Sequence, residues 1–599
     1  MESLIALLNG HPLSFSAFCY VCLGVTIGLG SRAMWEGWLD ARGEGKALRP
    51  HWTKGSAFLL CLAGTVVLFR LPAILTSLSL NIDEYSQIVG GWSLLHDPVP
   101  WRGSDNGTSG PLNMYVLTAA FWLGLPVQHL TARIVMVALG LVLVGCTYAT
   151  LLRLGGQLAA VPAALALGLF LALARDRDQV HYNSESLSVA FLAGALLLFV
   201  HGRHRPAGGL LLYGAGLLLG AIPYAKLQAA PLGACLAMIF ATDLWRSRRD
   251  TPGSARRLLA LGSGGLSIPL LITIVLLETC TWHDFVTSYF GFARAYHPHS
   301  GPTLPAAGFV FCGPDIPWLL LYSLVVSLGL FACVDRISKP LPRGFRLLAG
   351  ACLGYLAVAV FAVEAPGMGL PHYATLVLHP VALLLGICAA QAVTLLAEGF
   401  NRGRRLGAKV AVVWFSAATA GLIAVHLGGW LIEMLPQENF LPTLAREPGC
   451  AYVPFFPIAA RRVLPVREFI AAHSRPGDSM SVWGWAPYYY VSAGVPNATR
   501  EPTTVAAMPA SGDFIADIGD TLRTYYRQRY LHDLQRTRPA FFVDAVSSSE
   551  FLQDRQKLGY ETWPELARFV NENYTKVFEY EVSPGDGTRV YMLKDRLGR

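Results

Sequence analysis

Asp83 and Glu84 stand side by side in SLSLNIDEYSQIVGGWSLLHDPVPW, residues 77–101, where a long apolar run gives out. Carboxylates near hydrocarbon lose hydration, so a pair of them at that depth needs a reason. Tyr85, Ile88, Val89, Trp92 and Leu95 follow at helical spacing, and His96 and Asp97 close the segment. That pattern predicts an amphipathic helix lying at the membrane interface, with the two acids at its N-terminus. Two readings stay open. Asp83 caps the helix, which Asp does well, or it is a general base, since a helix N-terminus favours negative charge.

Other polar groups recur at similar depth. ARDRDQVHYNSESLSVAFL, residues 174–192, leads His181, Tyr182, Asn183 and Glu185 into an apolar run. Asp176 and Asp178 there read as an ordinary wet loop, with a helix cap at Ser184 or Ser186, whereas Glu185 lies at or inside the start of the run. In GAIPYAKLQAAPLG, residues 220–233, Lys226 is a lone cation in a Pro-broken turn; the plain alternative is a snorkelling lysine. EAPGMGLPHYATLVLHP, residues 364–380, brings His372 and Tyr373 into another run. Arg294 and Arg102 are further cations in loops on the same side. Acids of this kind deprotonate a hydroxyl, and Lys226 with a His or Arg holds an anionic phosphate. The set suits transfer of a group from a lipid phosphate.

The elements that must position these residues are membrane spans. Of the 599 residues, 53% are hydrophobic and only 14% charged, and mean hydropathy is +0.43. Soluble domains carry charge on roughly 25% of residues, so this is a polytopic α-helical membrane protein. Apolar runs of spanning length fall at 12–31, 57–79, 130–152, 157–174, 186–200, 208–224, 227–245, 258–280, 316–334, 346–363, 374–397 and 410–432. The net charge of +8 does not point to nucleic acid, because the basic residues sit in short loops between runs. With alternating spans, the loops holding Arg42 and Lys46, Arg203 and Arg205, Arg246 to Arg257, Arg336 to Arg346 and Arg402 to Lys409 share one side. The positive-inside rule makes that side cytoplasmic.

The segment 111–126 is apolar but short for a crossing, and is read as a helix on the outer face; counting it as a span would turn the RSRRDTPGSARR loop outward. Twelve crossings then leave both ends outside. The N-terminus lacks the basic stretch and small-residue cleavage site of a signal peptide, so its first span is expected to be retained. Residues 1–432 form the membrane domain, with 81–129 as its first outer loop. From about 433 charged residues become frequent, and helix-like VREFIAAHS and ELARFVNENY alternate with strand-like SMSVWGW and RPAFFVDAV. TKVFEYEVSPGDGTRVYML ends as two strands around a turn. Residues 433–599 are thus an outer soluble α/β domain. Most of the eleven cysteines lie in apolar runs, and Cys312 and Cys450 share the outer side, where pairing is open.

On IDEYSQIVGGWSLLHDP, GPLNMYVLTAAF, HYNSESLSVAFLAGALLLF, GLLLGAIPYAKLQAAPLG and GLPHYATLVLHPVALLLG, the chain resembles the GT-C superfamily of integral-membrane glycosyltransferases. It is similar above all to bacterial relatives of protein O-mannosyltransferases and aminoarabinose transferases, of the family 39 type. The matching pieces keep the family's order over most of residues 80–400. The resemblance implies an active site outside the bacterial cytoplasmic membrane and a polyprenyl-phosphate sugar donor. It also implies a hydroxyl acceptor on a lipid, glycan or protein, and inversion at the anomeric carbon. By position, Asp83 is the general base, Glu84 orients acceptor or donor, and Lys226 contacts the donor phosphate. Glu185 stands where many members have Asp, and His372 with Tyr373 where members have an Arg-Tyr pair. His181, Arg294 and Arg102 complete the candidates for donor contacts. Some branches need a divalent metal and others none, so the resemblance implies no particular cofactor. A transporter of lipid-linked sugars and a glycan-binding sensor are the rival readings. Inverted repeats, the mark of many transporters, are not evident.

Overall fold

The computed structural model describes residues 12–41, 52–75, 81–174, 177–205, 207–249, 253–295, 343–367, 370–401, 457–510, 517–548, 554–583 and 586–597. The expected spans 316–334 and 410–432 lie outside these residues, as do Cys312, Cys450 and Asp176. Helices occupy the other expected spans. They are α1 (Pro12–Ala41) and α2 (Trp52–Leu75), then, after two short helices α3 (Ile82–His96) and α4 (Pro111–Trp122), α5 (His129–Gly155) and α6 (Gln157–Leu173). There follow α7 (Ser184–Gly202), α8 (Gly209–Ala225), α9 (Ala230–Arg246), α10 (Ser254–Glu278), α11 (Arg343–Glu364) and α12 (Thr375–Asn401). Among the described residues seven stretches are long and apolar enough to cross a membrane. At 12 residues α4 is about 18 Å long, against about 30 Å of hydrocarbon, so it cannot cross.

Small residues let the bundle close. The buried face of α6 is Ala159, Ala160, Ala163, Ala164 and Leu167, and the stretch Pro371–Gln391 opening α12 is almost wholly buried. Helices α8 and α10 pack backbone to backbone: a Cβ at Gly216 would lie 2.0 Å from the Leu261 carbonyl oxygen, and one at Gly264 2.0 Å from that of Tyr213. Such contact replaces the hydrophobic drive that lipid does not supply. At one end of the bundle the basic loops gather. Arg257 donates to the Arg203 and Arg205 carbonyls at 3.0 and 3.2 Å, and Arg203 meets Asp243 at 3.3 Å.

The tail comprises α13 (Pro457–His473), β1 (Met480–Trp483), α14 (Tyr488–Ala493), α15 (Asp520–Thr537), β2 (Phe541–Asp544), α16 (Pro564–Asn573), β3 (Tyr574–Ser583) and β4 (Asp586–Leu593). The sheet order is β1-β2-β4-β3, with β1 parallel to β2 and the other pairs antiparallel. Its four strands, with α13 and α16, fall where the alternation of the sequence places them, while α14 and α15 are additional to that reading. The tail packs on α3: Ile82, Tyr85, Ile88 and Val89 share one core with Val482, Tyr488, Tyr489 and Val543. The Tyr85 and Tyr488 rings lie 5.9 Å apart, edge to face. Here the structure departs from the expected interface helix. Residues 84–91 of α3 are all buried, because the tail covers the face that the pattern assigns to lipid headgroups.

Charge joins the two parts as well. Arg529 reaches Asp105 at 2.7 Å and Glu501 at 2.9 Å, and Arg500 spans Asp533 at 2.8 Å and Asp284 at 3.5 Å. Burial, reinforced by Asp533 and Asp105 against the pull of Arg529 and Arg500, pushes the Glu501 carboxyl up to about 7. A raised carboxyl makes the folded state bind a proton that the unfolded chain has released. Its contribution is therefore complete below the ordinary value of 4.5 and is lost as pH rises toward about 7. The Tm of the full chain in detergent is expected to fall across that window, and Glu501→Gln to flatten the fall. An unchanged slope in the variant removes Glu501 as its source.

Candidate active site

At the end of the bundle away from the basic loops, the starts of α3, α7 and α12 meet the end of α8. The N-cap of α3 is Asn81, not Asp83: the Asn81 side chain accepts the Asp83 N–H at 2.8 Å and donates to Asp178 Oδ1 at 2.6 Å. Asp83 is left with 39% of its side chain exposed, and its carboxylate makes no hydrogen bond among the described residues. His372 faces it, with Nε2 4.0 Å from Asp83 Oδ2. The other ring nitrogen, Nδ1, lies 3.2 Å from Asp178 Oδ2. A carboxylate only accepts, so this contact puts the proton on Nδ1 and fixes the ring. His181 stacks edge-on to His372 at 6.0 Å.

Beside this line runs a second one. Lys226 ends α8 in an extended conformation, φ −150° and ψ 120°, and its side chain is buried. Its Nζ lies 3.0 Å from Glu185 Oε1 and donates to Ser184 Oγ at 2.9 Å, while the Tyr373 ring sits 5.3 Å away. Ser184 takes one of its three N–H donors, and Glu185 faces the ammonium as its counter-charge. Asn183, rather than Ser184 or Ser186, caps α7 by accepting the Ser186 N–H at 3.0 Å.

Glu84 has different company from Asp83. It is fully buried, and Arg133 Nε and Nη2 grip its two oxygens at 3.1 and 2.8 Å. The Tyr182 N–H adds a third contact at 3.3 Å. Burial is the largest influence and opposes its charge, but the Arg133 guanidinium together with His129 and His181 holds the carboxyl below its usual range. The structure does not bring Arg102 or Arg294 to these groups. Arg102 closes a two-point pair with Asp97, both contacts at 2.8 Å, and Arg294 is exposed on the turn Phe292–Ala295. Among the described residues no three His, Cys, Asp or Glu side chains form a group able to hold a metal ion.

Arg133 and Asp178 are absent from the sequence-based set. Arg133 left a signal, a guanidinium near the start of an apolar run in HLTARIVM. The backbone of Lys226 is also tied down, since Ser109 bridges to it and the Gly110 N–H donates to the Ala225 carbonyl at 3.0 Å. Only glycine fits at 110, where a Cβ would lie 2.0 Å from the Tyr224 carbonyl oxygen. Gly110→Ala is expected to destabilise the protein by about 1–3 kcal/mol, the range for overpacking, seen as a lower Tm. A Tm equal to that of wild type means the segment gives way freely.

Searched by sequence, the chain matches no family model and no curated protein. Its structure is similar to that of ArnT from Cupriavidus metallidurans bound to undecaprenyl phosphate, with a TM-score of 0.53 at 16% identity, over 90% of this chain and 98% of that one. For the same protein in the apo state the TM-score is 0.52 at 15% identity, over 91% and 99%. The apo oligosaccharyltransferase of Archaeoglobus fulgidus gives 0.39 at 13% identity, over 92% and 75%. The chain shares the fold of ArnT.

Proposed function

We propose that this protein transfers a sugar from a polyprenyl-phosphate donor to a hydroxyl of a lipid, glycan or protein acceptor. The observation that carries the reading is Asp83, an exposed carboxylate at the rim of a cluster whose other charges are buried and paired. Asp83 takes the proton from the acceptor hydroxyl as that oxygen bonds to the anomeric carbon. The bond from that carbon to the phosphate oxygen breaks, and polyprenyl phosphate leaves with the electron pair, so the sugar inverts. Lys226 meets the developing phosphate charge with an N–H that Ser184 does not use, and Glu185 and Ser184 keep the ammonium in place. His372, fixed by Asp178, lies beside Asp83 on the donor side. Glu84 does not touch substrate in this scheme; gripped by Arg133, it anchors the start of α3 and so aims Asp83. The gathering of the basic loops at the far end of the bundle supports an extracytoplasmic site, by the positive-inside rule.

The fold supports the reading, since ArnT shares it and was solved with undecaprenyl phosphate bound. The test is to incubate the purified full chain with radiolabelled polyprenyl-phosphate sugars and a membrane extract. Covalent transfer of label to an extractable acceptor is expected. Label that crosses a vesicle membrane still attached to its lipid favours a transporter and refutes the proposal.

A further inference from the structure

We propose that Asp105, held by Arg529 of the tail, is a positioning residue for Lys226, acting through the short segment from Asp105 to Gly110; this rests on the reading that Lys226 meets the donor phosphate. Both Arg529 and Asp105 are buried, so each charge depends on the other being in place. The Asp105 carboxylate also accepts from the Ser288 hydroxyl at 2.5 Å, and its N–H donates to the Arg500 carbonyl at 2.8 Å. The Ser288 hydroxyl in turn lies 2.8 Å from that of Tyr526, which neighbours Arg529 on α15. Asp105 is therefore clamped by the tail on both backbone and side chain.

The segment that follows is stiff. The Gly107 N–H donates to Asp105 Oδ1 at 3.2 Å, and the Ser109 N–H to the Asn106 carbonyl at 3.2 Å. At its far end Ser109 bridges to Lys226, and Gly110 and Asn113 both donate to the Ala225 carbonyl. That carbonyl belongs to the last turn of α8, where no helical N–H remains to donate to it. Lys226 is the C-cap: its N–H still donates to the Ile222 carbonyl at 2.9 Å, but its extended φ and ψ turn the chain out of the helix there. The bridge from Ser109 and the contacts on Ala225 therefore fix, together with that last helical bond, the launch point of its side chain. A shift of Asp105 is passed along a hydrogen-bonded turn to the ammonium. The tail is thereby part of the donor site without touching the donor.

A double-mutant cycle on the full chain in detergent tests this, with polyprenyl phosphate as the binding probe and donor KM and kcat read in parallel. Lys226→Gln is expected to weaken binding about thirtyfold, and Asp105→Asn about tenfold, with kcat falling in the same order because Lys226 also meets the charge that develops on the leaving phosphate. In the Lys226→Gln background Asp105→Asn is expected to add less than about twofold, because coupled residues do not act additively. Unchanged binding in Lys226→Gln alone sinks the Lys226 reading and the inference with it. Weakening by Lys226→Gln together with a full tenfold addition from Asp105→Asn overturns the inference and leaves that reading standing. Should Asp105→Asn not accumulate as folded protein, Ser288→Ala removes one hydrogen bond from the same carboxylate. It is expected to weaken binding about threefold in the wild type and not in Lys226→Gln; equal weakening in both overturns the proposal.

Discussion

Asp83→Asn is expected to lower kcat by about 10²- to 10⁴-fold, the usual worth of a positioned general base. Asn keeps the size of the side chain and cannot take the acceptor's proton. Donor affinity is expected to stay within about twofold of wild type, because the nearest cation, His372, is 4.0 Å away and held by Asp178 instead. Folding should be indifferent too, since the carboxylate is part-exposed and the helix is capped by Asn81. Single-turnover transfer of label, with Tm measured on the same preparation, separates these quantities. A variant that keeps kcat within tenfold of wild type removes Asp83 as the base.

The second large effect is on stability. Arg133→Met strips the partner from a carboxylate with no exposure, and from the Ala73 carbonyl that Arg133 also binds at 3.0 Å. Breaking a buried pair from one side costs about 3–5 kcal/mol, because the remaining charge stays buried and uncompensated. Adding Glu84→Gln is expected to recover much of the loss by removing that charge. The pH dependence has a definite sign. The Glu84 carboxyl is held below its ordinary 4.5, so its contribution is present above that value and disappears as pH falls through the lower, folded one. Thermal melts of wild type and Arg133→Met should converge as the pH drops. Curves that stay parallel down to the acid limit would count against the Glu84–Arg133 pair as the origin.

The helices were legible because solvent class is a local property. A run of apolar residues meets lipid whatever its neighbours are, so the described spans follow from hydropathy alone. Loop charge likewise grouped Arg203, Arg205 and Arg257 before their contacts were known. Partnership is not local. Asp178 looks like a wet loop residue until α12 brings His372 to it, and Glu84 looks like the twin of Asp83 until α5 brings Arg133. The sequence offers Asp83 as the cap and the structure uses Asn81, since both residue types cap well and stand two residues apart. The burial of α3 was illegible for a similar reason: its apolar face fits a headgroup layer or a protein surface equally well. Only the packed tail, with Tyr488 against Tyr85, distinguishes the two.

The ion pair between residues 105 and 529 closes over 424 positions of chain. Asp105 emerges from the ribosome early, and its partner within the last eighth of the protein. Until translation is nearly complete and the tail stands on the same side of the membrane as the 105–110 segment, that loop has no clamp. A nascent chain would therefore hold its acids and its lysine without the alignment between them. On the function proposed above, the site is complete only once the tail has docked.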